Sequence, residues 1–419
     1  MPYFEIVGGK KLKGEIEVRG SKNAATPILA ATLLTEKKCV LDNIPLIEDV
    51  LKMIKIIKEM GAEVEWLGKR KISVAAKNIN PEKMDFEEVG EMRSSILLLG
   101  SLSARFPKFK MSCPGGCLIG SRPIGTHFRA LEKMGVKIKQ DNDFYRIDSS
   151  RRRAAKVVLG EFSVTATENA LMLASAIPQK TIIKIAAAEP HVQDLAGFLV
   201  KLGVKVKGAG THTLEVIGRN NLKGADHRII PDANEAATFL IMGAATKSRI
   251  TVKNAVEDNL DLVLEKLREF GAEFEIKKNS ITVLPKSGLK AVAKIDARIY
   301  PGIPTDIQAP LGVLATQAEG TTLIHDTLYE GRFKYIQELG RMGAVAVVSD
   351  PHSALITGPT QLYGKEVISF DLRAGASMII AALLARGESV IKNIEQVDRG
   401  YERIEERLQK LGADIRRVK

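Results

Sequence analysis

The chain is poor in tryptophan, cysteine and long apolar runs. Its 419 residues include one tryptophan and three cysteines, and aromatic residues make up 5% of the sequence. Three cysteines cannot build a disulfide scaffold, and so few favour a reducing compartment. The sequence opens without a charged segment followed by an apolar one, and no apolar run reaches membrane-spanning length. We therefore expect a cytoplasmic protein with no membrane contact.

Motifs that bind cofactors and metals are also missing. No Gly-Lys pair is followed by serine or threonine, so there is no P-loop, and no G-x-G-x-x-G lies between a strand and a helix. The six histidines are scattered without the spacing of metal ligands. His127 is expected to pack or to hydrogen-bond. The sequence thus predicts neither a metal site nor a cofactor.

The charge is basic but dispersed. The net charge is +12, apolar residues make up 45% and charged residues 27%, as in a globular protein. Most lysines and arginines alternate with glutamates on helix faces, which is typical of a solvated surface. The cluster RRR at 151–153 has no aromatic residues among it, which disfavours a nucleic-acid groove. A chain of this length is expected to form two domains.

A pattern recurs six times along the chain. An amphipathic helical segment ends at a glycine, and a short alternating segment follows, which predicts a helix, a glycine at C′ and a strand. Val50, Met53, Ile54 and Ile57 share one face of the first such helix. The spacing of the glycines is 68 to 74 residues, and they are Gly61, Gly135, Gly203, Gly271, Gly343 and Gly412.

A second predicted helix occurs in each repeat, about forty residues before the glycine. Its copies, such as KNAATPILAATLL and LRAGASMIIAALLA, are apolar nearly all round, so we expect them to be buried. A strand such as CVLDNI or TIIKIA lies between the two helices. Six α/β repeats predict two lobes of three, one spanning 21–229 and the other 1–20 plus 230–419. The strands of FEIVGGKKLKGEIEV are expected to complete the last repeat.

Basic residues stand where these helices begin. Lysine or arginine at a helix N-terminus opposes the helix dipole, so such positions suggest an anion site instead of a structural role. The basic residues are Lys22, Arg93, Arg122, Arg332, Arg373 and Arg399. Polar residues at the other helix starts are expected to be N-caps, namely Asp49, Asp194, Asp258 and Asn234. The arrangement predicts a cleft that binds phosphate and carboxylate groups and closes by a hinge.

The segment CPGGCLIGSRPIGTH (113–127) holds two of the cysteines. A zinc site is disfavoured because no second pair of ligands accompanies them, and a disulfide would be unusual in the cytosol. Cys113 continues the strand FKMSC and is expected to be a buried structural thiol. Cys117 lies between glycines, with Arg122 near it to stabilise a thiolate, and is the candidate for chemistry. Pro-Gly-Gly is expected to let this loop, about 112–123, swing.

Seven short motifs are recognisable in the chain: RGSKNAA (19–25), EMRSS (91–95), PGGCLIGSRP (114–123), PTDIQA (304–309), EGRF (330–333), DLRAGAS (371–377) and DRGYERI (398–404). They resemble those of the UDP-N-acetylglucosamine enolpyruvyl transferases, or 1-carboxyvinyltransferases, and cover essentially the whole chain. The resemblance implies two inside-out α/β lobes of three repeats with the active site between them. It implies transfer of the enolpyruvyl group of phosphoenolpyruvate to the sugar 3-hydroxyl, in bacterial cell-wall precursor synthesis.

The resemblance also implies roles for residues. Cys117 looks like the general acid, which can also form a covalent phospholactoyl adduct, and Asp306 like the residue that takes the hydroxyl proton. Both substrates are small molecules, and no nucleic acid or membrane is implied. The anions of phosphoenolpyruvate would be held by Lys22, Arg93, Arg122 and Arg399, supported by Arg332 and Arg373. The orienting residues would be Asn23, Asp49, Asp371 and Glu189. The nucleotide would contact the segment after Arg122, Ser163, Val164 and the backbone near Leu328.

The chain departs from the family pattern at several positions. The usual RPVDLH is RPIGTH, which introduces Gly125 and Thr126, and the usual SVGAT is SVTAT, which introduces Thr165. A frequent lysine before that motif is Glu161. The usual DRIETGTF is DANEAATF, and the usual REPE is AEPH. Most of these changes fall on the nucleotide side of the acceptor or at the lobe boundary, so they bear on the acceptor and leave the enolpyruvyl chemistry unaltered.

Three other functions are compatible with parts of the sequence. The sister enzyme, 5-enolpyruvylshikimate 3-phosphate synthase, has the same fold and donor, but the cysteine loop and the SKN motif argue against it. A non-catalytic paralogue would be expected to lose Cys117, Asp306 or the arginines, and none is lost. A basic nucleic-acid binder is disfavoured because the charge concentrates at helix starts. The sequence does not fix an oligomeric state.

Overall fold

The structure is a computed structural model that describes residues 2–115 and 123–419. Cys117 and Arg122 lie outside these described residues. Within them the chain divides into two compact units, one formed by 2–19 and 231–419 and the other by 20–115 and 123–230. Each unit has its own apolar core. Over the described ranges, no helix combines the length and the apolar character that crossing a membrane would take.

The strands are short and number twenty-three in the described part of the chain. In chain order they are β1 (Tyr3–Val7), β2 (Lys13–Glu17), β3 (Cys39–Asp42), β4 (Glu63–Gly68), β5 (Lys71–Ala75), β6 (Lys108–Ser112), β7 (Lys137–Asp141), β8 (Phe144–Asp148), β9 (Lys156–Val158), β10 (Thr181–Lys184), β11 (Lys205–Lys207), β12 (Thr213–Ile217), β13 (Asp226–Arg228), β14 (Arg249–Lys253), β15 (Glu273–Lys277), β16 (Ser280–Leu284), β17 (Lys294–Ala297), β18 (Gly320–Asp326), β19 (Val345–Asp350), β20 (Ser353–Gly358), β21 (Glu366–Ile368), β22 (Glu388–Lys392) and β23 (Asp414–Val418).

The helices alternate with these strands. They are α1 (Lys22–Thr32), α2 (Glu48–Glu59), α3 (Phe86–Glu91), α4 (Leu98–Arg105), α5 (Gly125–Lys133), α6 (Val164–Ala174), α7 (Pro190–Lys201), α8 (Ala233–Ala245), α9 (Asp261–Glu269), α10 (Thr305–Ala315), α11 (Lys334–Arg341), α12 (Leu372–Leu384), α13 (Glu395–Asp398) and α14 (Ile404–Gln409). Short 3₁₀ turns span Pro81–Lys83, Arg93–Leu97 and Glu257–Asn259.

The described strands form six sheets. Five are four-stranded, with orders β21-β22-β1-β23, β11-β12-β10-β9, β13-β3-β5-β4, β15-β16-β14-β2 and β17-β18-β20-β19, and one has three strands, β6-β8-β7. Each four-stranded sheet contains one parallel pair and is otherwise antiparallel. The fold is therefore mixed α/β, with every sheet of one unit built from that unit's own strands.

Three buried helices occupy the middle of each unit. In one unit α8, α10 and α12 pack against each other, and in the other α4 packs against both α1 and α6. The burial predicted for these helices is confirmed in α12, where every residue from Arg373 to Leu383 is buried. Burial on all sides removes large apolar area from water and stabilises each core.

The predicted junctions of helix, glycine and strand are present. All six glycines have positive φ, as Gly61 does at 101°, and each lies between an amphipathic helix and a strand at the edge of its sheet. A Cβ at Gly135 would lie 2.2 Å from the carbonyl oxygen of Arg151. Only glycine satisfies both the left-handed backbone and this close approach.

Some local predictions are wrong. The opening strands separate, because β1 pairs with β22 and β23 whereas β2 pairs with β14 of the fourth repeat. The four expected N-caps are not caps. Ile47 precedes α2, Glu189 precedes α7, and Asp232 caps α8, with Asp258 inside a 3₁₀ turn. Three of these side chains instead make tertiary contacts, Asp49 with Lys22, Asp194 with His227 and Asn234 with Asp306.

Candidate active site

Asp306 is the centre of a charged cluster in the unit that contains 231–419. It is the second residue of α10, where the helix starts after Pro304. Arg332, in the turn before α11, donates from Nη2 to Asp306 Oδ1 at 2.7 Å. Arg373, the second residue of α12, donates from Nε to Asp306 Oδ2 at 3.1 Å. The fold thus brings together three of the residues predicted for the site, each at or just before a helix start.

Arg373 is a buried cation, and the side chain of Arg332 is largely buried. Burial by itself lowers the pKa of Arg332, but Asp306 and then Asp371 outweigh it and hold that pKa above its usual range. Burial acts in the same direction on Arg373, where Tyr401, Asp306 and Asp232 together raise the pKa. The Nη1 and Nη2 atoms of Arg373 are buried and donate no hydrogen bond to the described residues. Buried donors of this kind are suited to an anionic ligand.

Neighbouring side chains hold the two arginines in place. Asp371 caps α12 by accepting hydrogen bonds from the backbone N–H groups of Arg373 at 2.8 Å and of Ala374 at 3.0 Å. Its Oδ1 also lies 3.6 Å from Arg332 Nη1. The guanidinium of Arg373 lies 5.2 Å from the ring centre of Tyr401, in a cation–π contact. Asp371 therefore contacts both arginines of the cluster, through the backbone of Arg373 and the guanidinium of Arg332.

Leu328 is held by an aspartate that the sequence analysis did not identify. Its backbone N–H donates to Asp326 Oδ1 at 2.9 Å. Asp326 is fully buried and also accepts hydrogen bonds from Thr305 and Gln308 of α10. It ends β18, so it ties the turn at Leu328 to the helix that carries Asp306. Its position at the end of a predicted strand was the signal available in the sequence.

Arg399 lies in the same unit, after α13. Its Nη1 donates to Gln396 Oε1 at 3.2 Å, and the residue is half-buried. Two residues further on, Tyr401 is buried and its hydroxyl shares a 2.8 Å hydrogen bond with Thr238 of α8. The predicted apolar face at Tyr401, Ile404, Leu408 and Leu411 is confirmed, since all four are buried.

The other unit contains the remaining described candidates. Lys22, the first residue of α1, lies 3.2 Å from Asp49 Oδ2, the second residue of α2. Both side chains are largely buried, so this pair fixes the ammonium group at the start of the helix. Asn23 follows in the same turn, and Arg93 opens the 3₁₀ turn before α4, each half-buried. The fold therefore places Asp49 beside Lys22, where the sequence analysis expected a cap.

The described start of the cysteine loop is closely anchored. The backbone N–H of Gly115 donates to the carbonyl oxygen of Gly90 at 2.5 Å, and a Cβ at Gly115 would lie 2.1 Å from that oxygen. Cys113 is half-buried, which corrects the expectation of full burial. Its backbone N–H donates to the backbone carbonyl oxygen of Asp143 at 2.9 Å. Burial and a hydrogen bond with Cys113 raise the pKa of Tyr145. Glycine at 115 thus allows the backbone to approach Gly90 closely. The sequence analysis had expected this residue to make the loop flexible.

The departures from the family pattern meet where α5 and α6 begin. Thr126 donates to Glu161 Oε1 at 2.7 Å. His127 is buried and shares a 2.7 Å hydrogen bond with Thr165, which confirms its expected structural role. Ser163 caps α6, its hydroxyl accepting from Ala166 N–H at 3.4 Å, and Val164 is the first residue of that helix. Thr126 and Glu161, two of the substituted positions, therefore contact each other, and Thr165, a third, contacts His127.

Glu168 of α6 has a second carboxyl group near it, that of Glu189, which precedes α7. Glu168 is in the middle of α6 and is buried. Burial and then the neighbouring Glu189 raise the pKa of Glu168 well above its usual range. Glu168 Oε1 and Glu189 Oε2 are buried and accept no hydrogen bond from the described residues. Burial therefore favours the protonated form of the Glu168 carboxyl group.

One group of acidic residues has the geometry of a cation site. Glu59, Asp85 and Glu88 have ligand atoms within 4.8 Å of one another, and no other such group occurs in the described ranges. Lys55 already forms ion pairs with Glu59 and Glu88. The group is thus neutralised in part by a lysine, and it contains none of the predicted site residues.

Comparison with known proteins places the chain in a family. The family model for EPSP synthase (3-phosphoshikimate 1-carboxyvinyltransferase) matches residues 6–408. A UDP-N-acetylglucosamine 1-carboxyvinyltransferase from Halothermothrix orenii is 42% identical over the whole of both chains. One from Coxiella burnetii is 43% identical and is covered over 96% of its length.

Solved structures show the same fold. The enolpyruvyl transferase NikO from Streptomyces tendae matches with a TM-score of 0.90 at 24% identity, over 100% of this chain and 99% of that one. An EPSP synthase from Acinetobacter baumannii matches with a TM-score of 0.76 at 18% identity over the whole of both chains. The chain belongs to the enolpyruvyl transferase family and, within it, to the UDP-N-acetylglucosamine 1-carboxyvinyltransferases.

Proposed function

We propose that this protein transfers the enolpyruvyl group of phosphoenolpyruvate to the 3-hydroxyl of UDP-N-acetylglucosamine and releases phosphate. The observation that carries the proposal is the identity of 42% over full length with proteins named for this reaction. The cluster of Asp306 with Arg332 and Arg373 supports it, because this chemistry needs a carboxylate beside fixed cations. The product would be a precursor of the bacterial cell wall, and we propose that the protein acts in the cytoplasm.

The donor requires several cations. Phosphoenolpyruvate carries a phosphate and a carboxylate side by side, and fixed positive charges stabilise such an anion without the cost of reorganising water. By resemblance Lys22, Arg93, Arg122 and Arg399 hold it, with Arg332 and Arg373 in support. The Lys22 ammonium is held by Asp49, and Arg373 by Asp371 and Tyr401. These side chains therefore need little rearrangement to bind an anion.

Addition comes first in the proposed reaction. The acceptor oxygen forms a bond to C2 of phosphoenolpyruvate, its proton passes to Asp306, and the methylene C3 receives a proton from Cys117. Elimination then breaks the bond from C2 to the phosphate oxygen, and phosphate leaves with that electron pair. C3 returns a proton to the Cys117 thiolate, and the departing phosphate takes the proton held by Asp306. The double bond re-forms and the product is an enolpyruvyl ether.

The acceptor is proposed to bind through its nucleotide near the start of α6. Ser163 and Val164 begin that helix, and backbone N–H groups at a helix start favour anionic groups. Leu328, positioned by Asp326, is proposed as the second backbone contact. Asn23 and Glu189 are proposed to orient these groups. The departures Thr126, Glu161 and Thr165 lie on this side of the acceptor.

We further infer that the chain consists of six copies of one unit, three in each half. The support is the recurrence of a buried helix, an amphipathic helix ending at a glycine with positive φ, and an edge strand after that glycine. The proposed catalytic lobes are 21–229, with the loop at about 112–123, and 1–20 plus 230–419. Because the candidate residues belong to both, we propose that both contribute to one substrate site.

Phosphate release tests the proposal. The protein is incubated with phosphoenolpyruvate and UDP-N-acetylglucosamine, and phosphate and the enolpyruvyl product are measured. Shikimate 3-phosphate replaces the sugar nucleotide in a parallel reaction, as the acceptor of the sister enzyme. Turnover with UDP-N-acetylglucosamine, and none with shikimate 3-phosphate, supports the proposal. No release with that acceptor, together with release with another hydroxyl compound, overturns the assignment of the acceptor.

A further inference from the structure

The first turn of α8 departs from the usual family pattern beside Asp306. The chain reads DANEAATF, so Asn234 stands where isoleucine is usual. Asp232 caps this helix, accepting from the backbone N–H groups of Asn234 at 2.9 Å and of Glu235 at 3.1 Å. The backbone is therefore satisfied by Asp232, and the Asn234 side chain makes a tertiary contact.

That contact is with the proposed proton acceptor. Asn234 Nδ2 donates to Asp306 Oδ2 at 3.2 Å, across 72 residues of chain. The orientation of the amide follows from chemistry, because an ionised carboxylate only accepts hydrogen bonds and so faces the NH₂ group. An isoleucine could not make this bond. Asp306 Oδ2 thus accepts from both Arg373 and Asn234, while Arg332 donates to Oδ1.

The three donors differ in what they do to a base. A guanidinium fixes a carboxylate but also stabilises its charge, which makes it a weaker proton acceptor. An amide fixes its direction and adds no net charge. Proton transfer requires the accepting oxygen to be held within hydrogen-bonding reach of the hydroxyl. The charged and titratable groups around the cluster are Arg332, Arg373, Asp232, Asp371, Asp326, Tyr329 and Tyr401.

We infer that Asn234 is a positioning residue for the transfer reaction, which orients Asp306 by engaging its Oδ2 so that Oδ1 takes the proton of the acceptor hydroxyl. This inference rests on the proposed function, in which Asp306 is the base. Asn234 itself touches no substrate in this scheme. It acts through Asp306 alone, so its removal alters proton transfer more than substrate binding.

The test is substitution of Asn234 by isoleucine, the residue usual at this position, and separately by alanine. We expect kcat to fall by about threefold to thirtyfold, on the scale of one hydrogen bond to a charged group, with KM for phosphoenolpyruvate unchanged within twofold. The acidic limb of the pH profile of kcat should move to higher pH, because the ionised carboxylate has lost a donor. Gln317→Ala is the control, since it removes an amide that bonds Thr316 and Thr360 in the same unit.

A second measurement does not depend on turnover. The carboxyl carbon signal of Asp306 is followed by NMR during a pH titration and assigned with Asp306→Asn. Its midpoint should rise in both Asn234 variants and stay unchanged in Gln317→Ala. A purely structural role would lower stability toward urea without moving either the midpoint or the acidic limb.

The outcomes separate the two proposals. If Asp306→Asn is inactive but both Asn234 variants keep the wild-type kcat, acidic limb and titration midpoint, the inference about Asn234 is wrong and the proposed function stands. If Asp306→Asn keeps full activity, Asp306 is not the base, and the positioning role falls with it. If the wild type transfers nothing to UDP-N-acetylglucosamine while the NMR midpoint shifts as expected, the acceptor is wrong and the contact of Asn234 with Asp306 is upheld.

Discussion

The Thr126 hydroxyl donates a 2.7 Å hydrogen bond to Glu161, and so joins two positions at which this chain departs from the usual family motifs. The two residues belong to different elements, since Thr126 lies in α5 and Glu161 precedes α6. Arg129 Nη2 lies 3.4 Å from the same hydroxyl. The carboxylate thus stands near the proposed nucleotide site, where the family usually has a lysine.

Reversing the charge at Glu161 should strengthen acceptor binding. Glu161→Lys removes a negative charge near the proposed diphosphate contact at the start of α6, so we expect KM for UDP-N-acetylglucosamine to fall by about threefold to tenfold. KM for phosphoenolpyruvate should not change. Steady-state kinetics at low ionic strength measure both constants. Glu215→Lys, on β12 of the same unit, is the matched charge reversal, and an equal effect of both variants would contradict a local role for Glu161.

Adding a methyl group at Gly115 should disturb the base of the cysteine loop. The new Cβ of Gly115→Ala would lie 2.1 Å from the carbonyl oxygen of Gly90, so the backbone must move. We expect a loss of about 1–3 kcal/mol in the free energy of unfolding and about a tenfold fall in kcat. Urea unfolding and phosphate release measure these effects. Gly197→Ala in α7 meets no atom within 4 Å and should be neutral or slightly stabilising, so equal losses in both variants would refute this account.

Cys117 should be the site of alkylation by fosfomycin, an epoxide that resembles phosphoenolpyruvate. Cys117→Ala should abolish the mass increase that the wild type shows after incubation, because no thiolate remains to open the epoxide. Mass spectrometry of the intact protein measures it. Cys113→Ala is the control and should still be alkylated at Cys117. Cys113 is not expected to react, since it is half-buried and hydrogen-bonded to Tyr145. Alkylation that survives in Cys117→Ala would show that another residue reacts.

The pH dependence of stability should report the burial of Glu168. Its pKa is raised in the folded state, so the folded protein keeps a proton that the unfolded chain releases above its usual value of 4.5. Below that pH the contribution of Glu168 to the free energy of unfolding has its full value, and the contribution decreases as the pH rises. Glu168→Gln should be more stable relative to the wild type at pH 8 than at pH 5, by on the order of 1 kcal/mol or more.

Urea unfolding midpoints at the two pH values measure this difference. The control is Glu215→Gln, which changes a half-buried glutamate of β12 and should show the same difference from wild type at both values. Parallel behaviour of Glu168→Gln and the control would mean that Glu168 is ionised in the folded protein.

Much of the local structure was predictable from the sequence alone. The six glycines, the amphipathic faces before them and the apolar helices such as α12 were identified because each depends on spacings of a few residues. The same holds for Lys22, Asp306, Arg332 and Arg373, which stand in short recognisable motifs. The helices, the junctions and the family followed from the sequence without any knowledge of which segments touch.

The tertiary structure decided which of these local features meet. Asn234 and Asp306 are 72 residues apart, and Thr126 and Glu161 are 35 apart, so no local spacing could pair them. Asp49 was expected to be a cap and is the partner of Lys22. Hydrophobic periodicity specifies which face of a helix is buried, but the polar partner of a side chain depends on which helix packs beside it. The side-chain contacts of Asp306 therefore depend on the packing of α8, α10 and α12.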